Sequence, residues 1–346
     1  MTRHLLDIDD LSASELRAVL DAATERRPPR VLEGRGVACV FEKPSARTRN
    51  ATEMAVVQLG GHPITLRGEE VGFDVRETVE DVARTLACYH AAICARVFDH
   101  KVLERMTDVV DIPVVNLLSD RAHPCQALAD VLTLEHEFGS LAGRTVAYIG
   151  DFNNVARSLG LALGLSGATI RLGCPPGYGP SDIDLDQLTA AAPTVHERPE
   201  EAVKGADAVY TDVWTSMGQE AEMQQRRGAF AGWTVTPALM AAASPSAVFL
   251  HCLPAHRGEE VDAAVIDGPS SRVWPQASYR LDAARGALSW LLSGQGSSSP
   301  TSPRLGCPRP SANTASPSCS KANGWPAKPT WSSFWPPTGS WPPRPR

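Results

Sequence analysis

Residues 144–174 read RTVAYIGDFNNVARSLGLALGLSGATIRLGC. Val146–Ile149 is a short apolar run, Gly150-Asp151 is a tight-turn pair, the next stretch has helical spacing, and Thr169–Leu172 is a second short run. Strand, turn, helix and strand in this order form one βαβ unit, in which the two strands are parallel. The unit lacks G-x-G-x-x-G, which argues against a dinucleotide site.

Similar short runs lie on either side, at Val37–Phe41, Ala91–Ala95, Val114–Leu118, Ala208–Thr211 and Val248–Cys252, and they alternate with helical patterns. The expected fold is therefore α/β, with two doubly wound parallel-sheet domains joined by interdomain helices. The expected division is 1–130, 131–278, a C-terminal helix over 279–293 that packs back on the first domain, and a tail over 294–346. Near the N-terminus, Ser12 and Glu15 form a capping-box spacing flanked by Leu11 and Leu16, which predicts a helix to about Ala23.

The tail is of different composition. It holds 12 of the 28 prolines, four of the eight tryptophans and six Lys or Arg without one acid, so it is expected to be disordered. Its tryptophans among prolines are read either as a docking motif or as a terminus without function. The net charge of −6 is thus carried by an acidic body, which argues against nucleic acid as a partner. No run of 18 uncharged apolar residues occurs, and MTRHLLDIDD has acids where a leader would be apolar. A soluble, cytoplasmic protein with no membrane partner is expected. The eight cysteines form no C-x-x-C pair and no metal-like cluster with histidine, so neither a metal nor a disulfide framework is expected.

In doubly wound sheets ligands collect beyond the carboxyl ends of strands, and the polar clusters of this chain fall there. FEKPSARTRN (41–50) follows the run Val37–Phe41 and places Ser45–Arg49 at a strand-to-helix turn, with the helix over Asn50–Leu59. Such a turn is either an anion site or a capped helix with solvated arginines. Arg96 ends the run Ala91–Ala95. In His123-Pro124-Cys125-Gln126 the proline suits a first helical turn, from which His123 and Gln126 would project as donors; a plain capped helix start is the alternative. Asp212 ends a strand and is followed by Ser216-Met217-Gly218, and Cys252 and Pro254 close another strand.

Together and in this order, FEK-x-S-x-R-T-R, Arg96, H-P-x-Q, Y-x-G-D-x-N-N, D-x-W-x-S-M-G and H-C-L-P-A-H-R-G resemble the aspartate/ornithine carbamoyltransferase family, and its ornithine branch in particular. The resemblance spans about residues 1 to 293. It implies a homotrimer that transfers the carbamoyl group of carbamoyl phosphate to the δ-amine of L-ornithine, giving L-citrulline and phosphate in arginine biosynthesis, without a cofactor.

Carried over position by position, the resemblance places the phosphate at Ser45, Ala46, Arg47 and Thr48. Arg96, His123 and Gln126 would contact the carbamoyl group and polarise its carbonyl, with Pro124 and Cys125 beside them, and Arg280 would return from the C-terminal helix. Asn154, Asp212, Ser216 and Met217 would hold ornithine. Cys252 and Leu253 would lie beside the reacting amine, with Asp212 and Cys252 favouring its neutral form. Arg96, His123, Gln126, Asp212 and Cys252 are the expected catalytic groups.

Two positions depart from the family pattern. Gly72 stands in a loop where members commonly carry a glutamine that reaches a neighbouring subunit, and Leu281-Asp282 stands where Leu-His is common. The rival readings are a carbamoyltransferase for putrescine or an acylated ornithine, and a catalytically silent carbamoyl phosphate-binding homologue.

Overall fold

The computed structural model describes residues 2–215 and 220–293; the tail 294–346, with the expectation of disorder placed on it, lies outside the described residues. Among the described residues, nine strands make two parallel sheets. The first contains β1 (Gly36–Phe41), β2 (His62–Arg67), β3 (His90–Arg96) and β4 (Val114–Leu118) in the order β2-β1-β3-β4. The second contains β5 (Thr145–Ile149), β6 (Thr169–Gly173), β7 (Thr194–His196), β8 (Ala208–Thr211) and β9 (Val248–His251) in the order β7-β6-β5-β8-β9. Each sheet starts near its middle, winds to one edge and then returns to build the other side. The winding reverses between β1 and β3 and again between β5 and β8, and a crevice opens beyond the strand ends at each reversal.

Apart from β2 and β7, the strands read as near-continuous apolar runs because both faces are covered. Along β1, Val37, Cys39 and Phe41 join one core while Ala38 and Val40 join another. Along β5, Val146 and Tyr148 face the first of these cores, and Ala147 and Ile149 face a third. The largest core therefore runs continuously between the two sheets.

The helix Val273–Ser293 supplies much of that core through Ala283, Ala287, Leu288, Leu291 and Leu292, and it packs on the helices Ala13–Thr24, Ala46–Gln58 and Pro124–Phe138. It is longer than the expected 279–293, and its first turns fall within the stretch assigned to the second domain. Pro275 lies in its first turn, where a missing N–H leaves no helical bond unmade. The helix Ala13–Thr24 has the capping box its sequence requires: Ser12 Oγ accepts the Glu15 N–H at 3.3 Å, and Glu15 Oε2 accepts the Ser12 N–H at 3.0 Å.

Candidate active site

The turn after β1 is built by Ser45, whose extended backbone and hydroxyl cap the helix Ala46–Gln58, Oγ accepting the Thr48 N–H at 3.4 Å. The helix starts at Ala46, earlier than the Asn50 expected, because this cap operates on the first turn. Arg47, Thr48 and Arg49 thus belong to the helix's amino end, where N–H groups and the dipole favour an anion. Both arginines are exposed and they differ in what they do: Arg49 Nε donates to Glu53 Oε1 at 2.8 Å, whereas Arg47 makes no ion pair among the described residues.

Two further guanidinium groups reach the turn from distant elements. Arg96, at the end of β3, sends Nη1 to Ser45 Oγ and to Thr48 Oγ1, each at 3.4 Å. Arg280, from the C-terminal helix, donates through Nη2 to Thr48 Oγ1 at 2.6 Å and through Nη1 to the Cys252 carbonyl at 3.4 Å. Both are buried and neither is paired with a carboxylate among the described residues. Burial, with Arg280 and Arg47 nearby, pushes Arg96 down to about 10, and burial lowers Arg280 as well. Buried like charges without counter-charge are costly, and a bound anion at this turn would relieve that cost.

The helix Pro124–Phe138 starts beside them, with Pro124 at its first position and His123 as the preceding residue, its N–H donating to Ser158 Oγ at 2.9 Å. Burial, then the charges of Arg280 and Arg96, hold the His123 imidazole well below its usual range, so it is neutral and has one N–H to give. The Cys125 thiol lies toward the Asn116 carbonyl at 3.7 Å and burial pushes it up to about 12, so this residue offers the site only its backbone.

Gln126 departs from its expected role as a donor. Its Nε2 donates to Asp130 Oδ1 at 2.8 Å, and the group left buried without a partner is the acceptor Oε1. Arg96 Nε and His123 Nδ1 are also buried without partners. Each of the three residues expected at a carbamoyl group therefore has an unmet polar atom, a cost tolerated where a ligand supplies the partner.

Across the crevice Asp212 follows β8 directly and is buried. Its Oδ1 accepts the Cys252 Sγ–H at 2.9 Å and its Oδ2 accepts the Asn153 Nδ2–H at 3.0 Å. Burial and Asp212 raise the Cys252 thiol well above its ordinary value, so sulfur is present as S–H. Asp212 and Cys252 do not favour a neutral amine as expected: a carboxylate stabilises an ammonium, and the thiol carries no charge. Asn154 Nδ2 donates to the Ser119 carbonyl at 2.7 Å, tying the second half of the site to the loop before His123. Ser216 and Met217 lie outside the described residues.

The segment after β9 is held by His251, whose Nδ1 accepts the Leu253 N–H at 2.9 Å while Nε2 faces Glu260 Oε1 at 3.2 Å. This bonding fixes the tautomer with the proton on Nε2 and supports Leu253 at φ +62°, a costly left-handed conformation for a leucine. Asp212, His251 and Cys252 bring potential metal-ligand atoms within 4.8 Å of one another. Both imidazole nitrogens are committed and the thiol is protonated, so these groups form a hydrogen-bonded unit rather than a ready metal site.

The two departures from the family pattern have local reasons. Gly72 has φ +55°, and a Cβ there would meet Arg76 Cγ at 2.9 Å, so a glutamine would be strained. Asp282 pairs with Arg285 at 2.8 Å, and Arg285 in turn bonds the Ala23 carbonyl and Gln58, linking three helices.

Residues 3–136 match the carbamoyl-P binding domain of aspartate/ornithine carbamoyltransferase, and residues 142–291 match its Asp/Orn binding domain. The chain belongs to the aspartate/ornithine carbamoyltransferase family. Ornithine carbamoyltransferase of Acidothermus cellulolyticus is 46% identical over 307 residues, covering 86% of this chain and 98% of that one. The anabolic ornithine carbamoyltransferase of Pyrococcus furiosus is 44% identical over 306 residues, covering 84% and 97%. A solved structure of ornithine carbamoyltransferase from Pyrococcus furiosus superposes with a TM-score of 0.81 at 43% identity, covering 85% of this chain and 98% of that one. Within the carbamoyltransferase frame, the first match holds Ser45–Thr48, Arg96 and His123–Gln126, and the second holds Asn154, Asp212, Cys252 and Leu253. Arg280 belongs to the second match but bonds Thr48 in the first.

Sequence reasoning missed Asn153, Asp130, His251 and Gln276. Asn153 stands in the quoted Y-x-G-D-x-N-N, and Asp130 is one helical turn from Gln126. Gln276, which bonds Asp130 from 146 positions away, has no local signal.

Proposed function

We propose that this protein transfers the carbamoyl group from carbamoyl phosphate to the δ-amine of L-ornithine, forming L-citrulline and phosphate in the biosynthetic direction. The observation that carries the reading is the convergence of Arg96 and Arg280 on Thr48 Oγ1 at a helix amino end, with Arg47 open beside them. A phosphate there accepts from the first-turn N–H groups, Ser45, Thr48 and the guanidinium groups.

Arg96 and the neutral imidazole of His123 donate to the carbamoyl oxygen and stabilise the negative charge that grows on it in the tetrahedral intermediate. Gln126 Oε1 accepts from the carbamoyl NH2. Asp212 binds the α-ammonium of ornithine, and Asn154, with Met217, holds the carboxylate. The δ-amine must shed its proton before it attacks, and burial beside the positive guanidinium groups favours its neutral form. Its nitrogen then forms a bond to the carbamoyl carbon, the bond from that carbon to the phosphate oxygen breaks, and the departing phosphate takes the amine's second proton. No group on this route requires a metal or an organic cofactor.

The active assembly is a homotrimer in the cytoplasm. An intersubunit face on the helix Ala46–Gln58 is supported by Met54 and Val57, 46% and 48% exposed, one helical step apart behind the phosphate turn.

Citrulline formation from carbamoyl phosphate and L-ornithine tests the reading. Arg96→Ala is expected to lower kcat by roughly 10²–10³, the cost of removing one such donor. A folded wild-type protein that binds carbamoyl phosphate but carbamoylates none of ornithine, putrescine and an acylated ornithine would make the silent homologue the better reading.

A further inference from the structure

Gln126 sits in a bonded series that has a direction. The His251 N–H donates to Gln276 Oε1 at 2.9 Å, Gln276 Nε2 donates to Asp130 Oδ1 at 2.6 Å, and Gln126 Nε2 donates to the same oxygen at 2.8 Å. Gln276 Nε2 also reaches Tyr210 Oη at 3.1 Å, so both ends of that amide are engaged. All four side chains, Gln126, Asp130, Tyr210 and Gln276, are almost wholly buried.

The two ends of an amide are nearly equal in size, and hydrogen bonding decides which way it lies. Turning Gln126 over would set its oxygen against an acceptor, Asp130 Oδ1, with both groups out of reach of water. Protonation does not undo this: burial pushes the Asp130 carboxyl up to about 7, against the bonds from Gln126 and Gln276 and the charge of Arg280, and a proton on Oδ2 still leaves Oδ1 as the acceptor. Gln126 Oε1 is thereby kept free, buried and in need of a donor.

We propose that Asp130 is a positioning residue that selects the transferred group: by locking Gln126 with its oxygen free, it makes the site demand an N–H on that group. A carbamoyl NH2 meets the demand, whereas the methyl of acetyl phosphate leaves Oε1 buried and unpaired. The inference rests on the carbamoyl phosphate reading above.

The test is the Kd of carbamoyl phosphate, acetyl phosphate and inorganic phosphate for the full chain, Asp130→Leu, Gln126→Leu and the double variant. Asparagine would keep the lock, because Gln276 Nε2 holds an acceptor at the Oδ1 position, whereas leucine offers Gln126 neither donor nor acceptor. The expected result is a preference for carbamoyl over acetyl phosphate that falls about tenfold in Asp130→Leu, the loss of roughly one hydrogen bond. Inorganic phosphate should bind unchanged, and Asp130→Leu should add nothing to Gln126→Leu.

Equal weakening of all three ligands, or losses that multiply in the double variant, would reduce Asp130 to a scaffold residue and overturn the proposal. Should Asp130→Leu not fold, Gln126→Leu decides alone, and a preference retained there overturns it too. Wild-type protein that binds phosphate but not carbamoyl phosphate would sink the functional reading together with this one. Wild-type binding with a preference that no variant moves would sink only this one.

Discussion

Arg96 and Thr48 mark the limit of what single residues disclose. A guanidinium at a strand end and a threonine in a helix's first turn are ordinary, and only their 3.4 Å contact, with Arg280 at 2.6 Å from the same hydroxyl, makes them a candidate anion site. Cys252 and Gln126 show the opposite case. Their positions were legible, but burial and partners changed their chemistry, to a protonated thiol and to an amide with its acceptor end free. Asp130 allows a pH prediction. Its folded pKa lies above the unfolded value, so its contribution favours folding most at low pH and is lost as pH rises from about 4 to about 7. The full protein should therefore lose on the order of a few kcal/mol of stability over that window relative to Asp130→Asn. Denaturant midpoints of both proteins at pH 4, 5.5 and 7.5 measure it, and parallel curves would contradict a raised Asp130.

At the scale of elements, the central strands were readable because two covered faces demand apolar side chains at every position. Of the four edge strands, β4 and β9 were readable too, but β2 and β7 were not. β2 is half exposed and contains Pro63, β7 is three residues long, and neither has an apolar run to betray it. The C-terminal helix was placed but cut short, since its first turns carry Trp274 and Pro275 rather than a periodic stripe. Its close approach to the helix Ala13–Thr24 depends on Gly286, where a Cβ would lie 2.6 Å from both Ala23 Cβ and the Val19 carbonyl oxygen. Gly286→Ala should destabilise the protein by about 1–3 kcal/mol, as overpacking does, and lower its thermal midpoint. Because the same helix carries Arg280, the variant should also bind phosphate more weakly, which titration of the folded variant would reveal. An unchanged midpoint would show that the two helices separate without cost.

For the whole molecule, the two sheets and the helix Val273–Ser293 share one core within the described residues. Leu291 and Leu292 are the last core positions among the described residues, so a chain ending at Ser293 keeps every residue of the described core. Sedimentation of that shortened chain and of the full chain should give the same trimer, with equal rates of citrulline formation. A monomeric full chain would overturn the proposed trimer, and a monomer only on shortening would give residues 294–346 a part in assembly.

The sequence by itself determined the α/β class, the central strands, the capped first helix and the set of motifs that announced the family. These are local properties, fixed by side-chain period, cap spacing and residue order. Only the tertiary structure decided which groups meet: Arg280 with Thr48, Asn153 rather than Asn154 with Asp212, and Asp130 with both Gln126 and Gln276. Most of those contacts join residues far apart in the chain, and each depends on burial that removes water as the alternative partner. Neither long-range proximity nor desolvation leaves a mark on neighbouring residues in sequence, which is why the chemistry of the site had to be read from the fold.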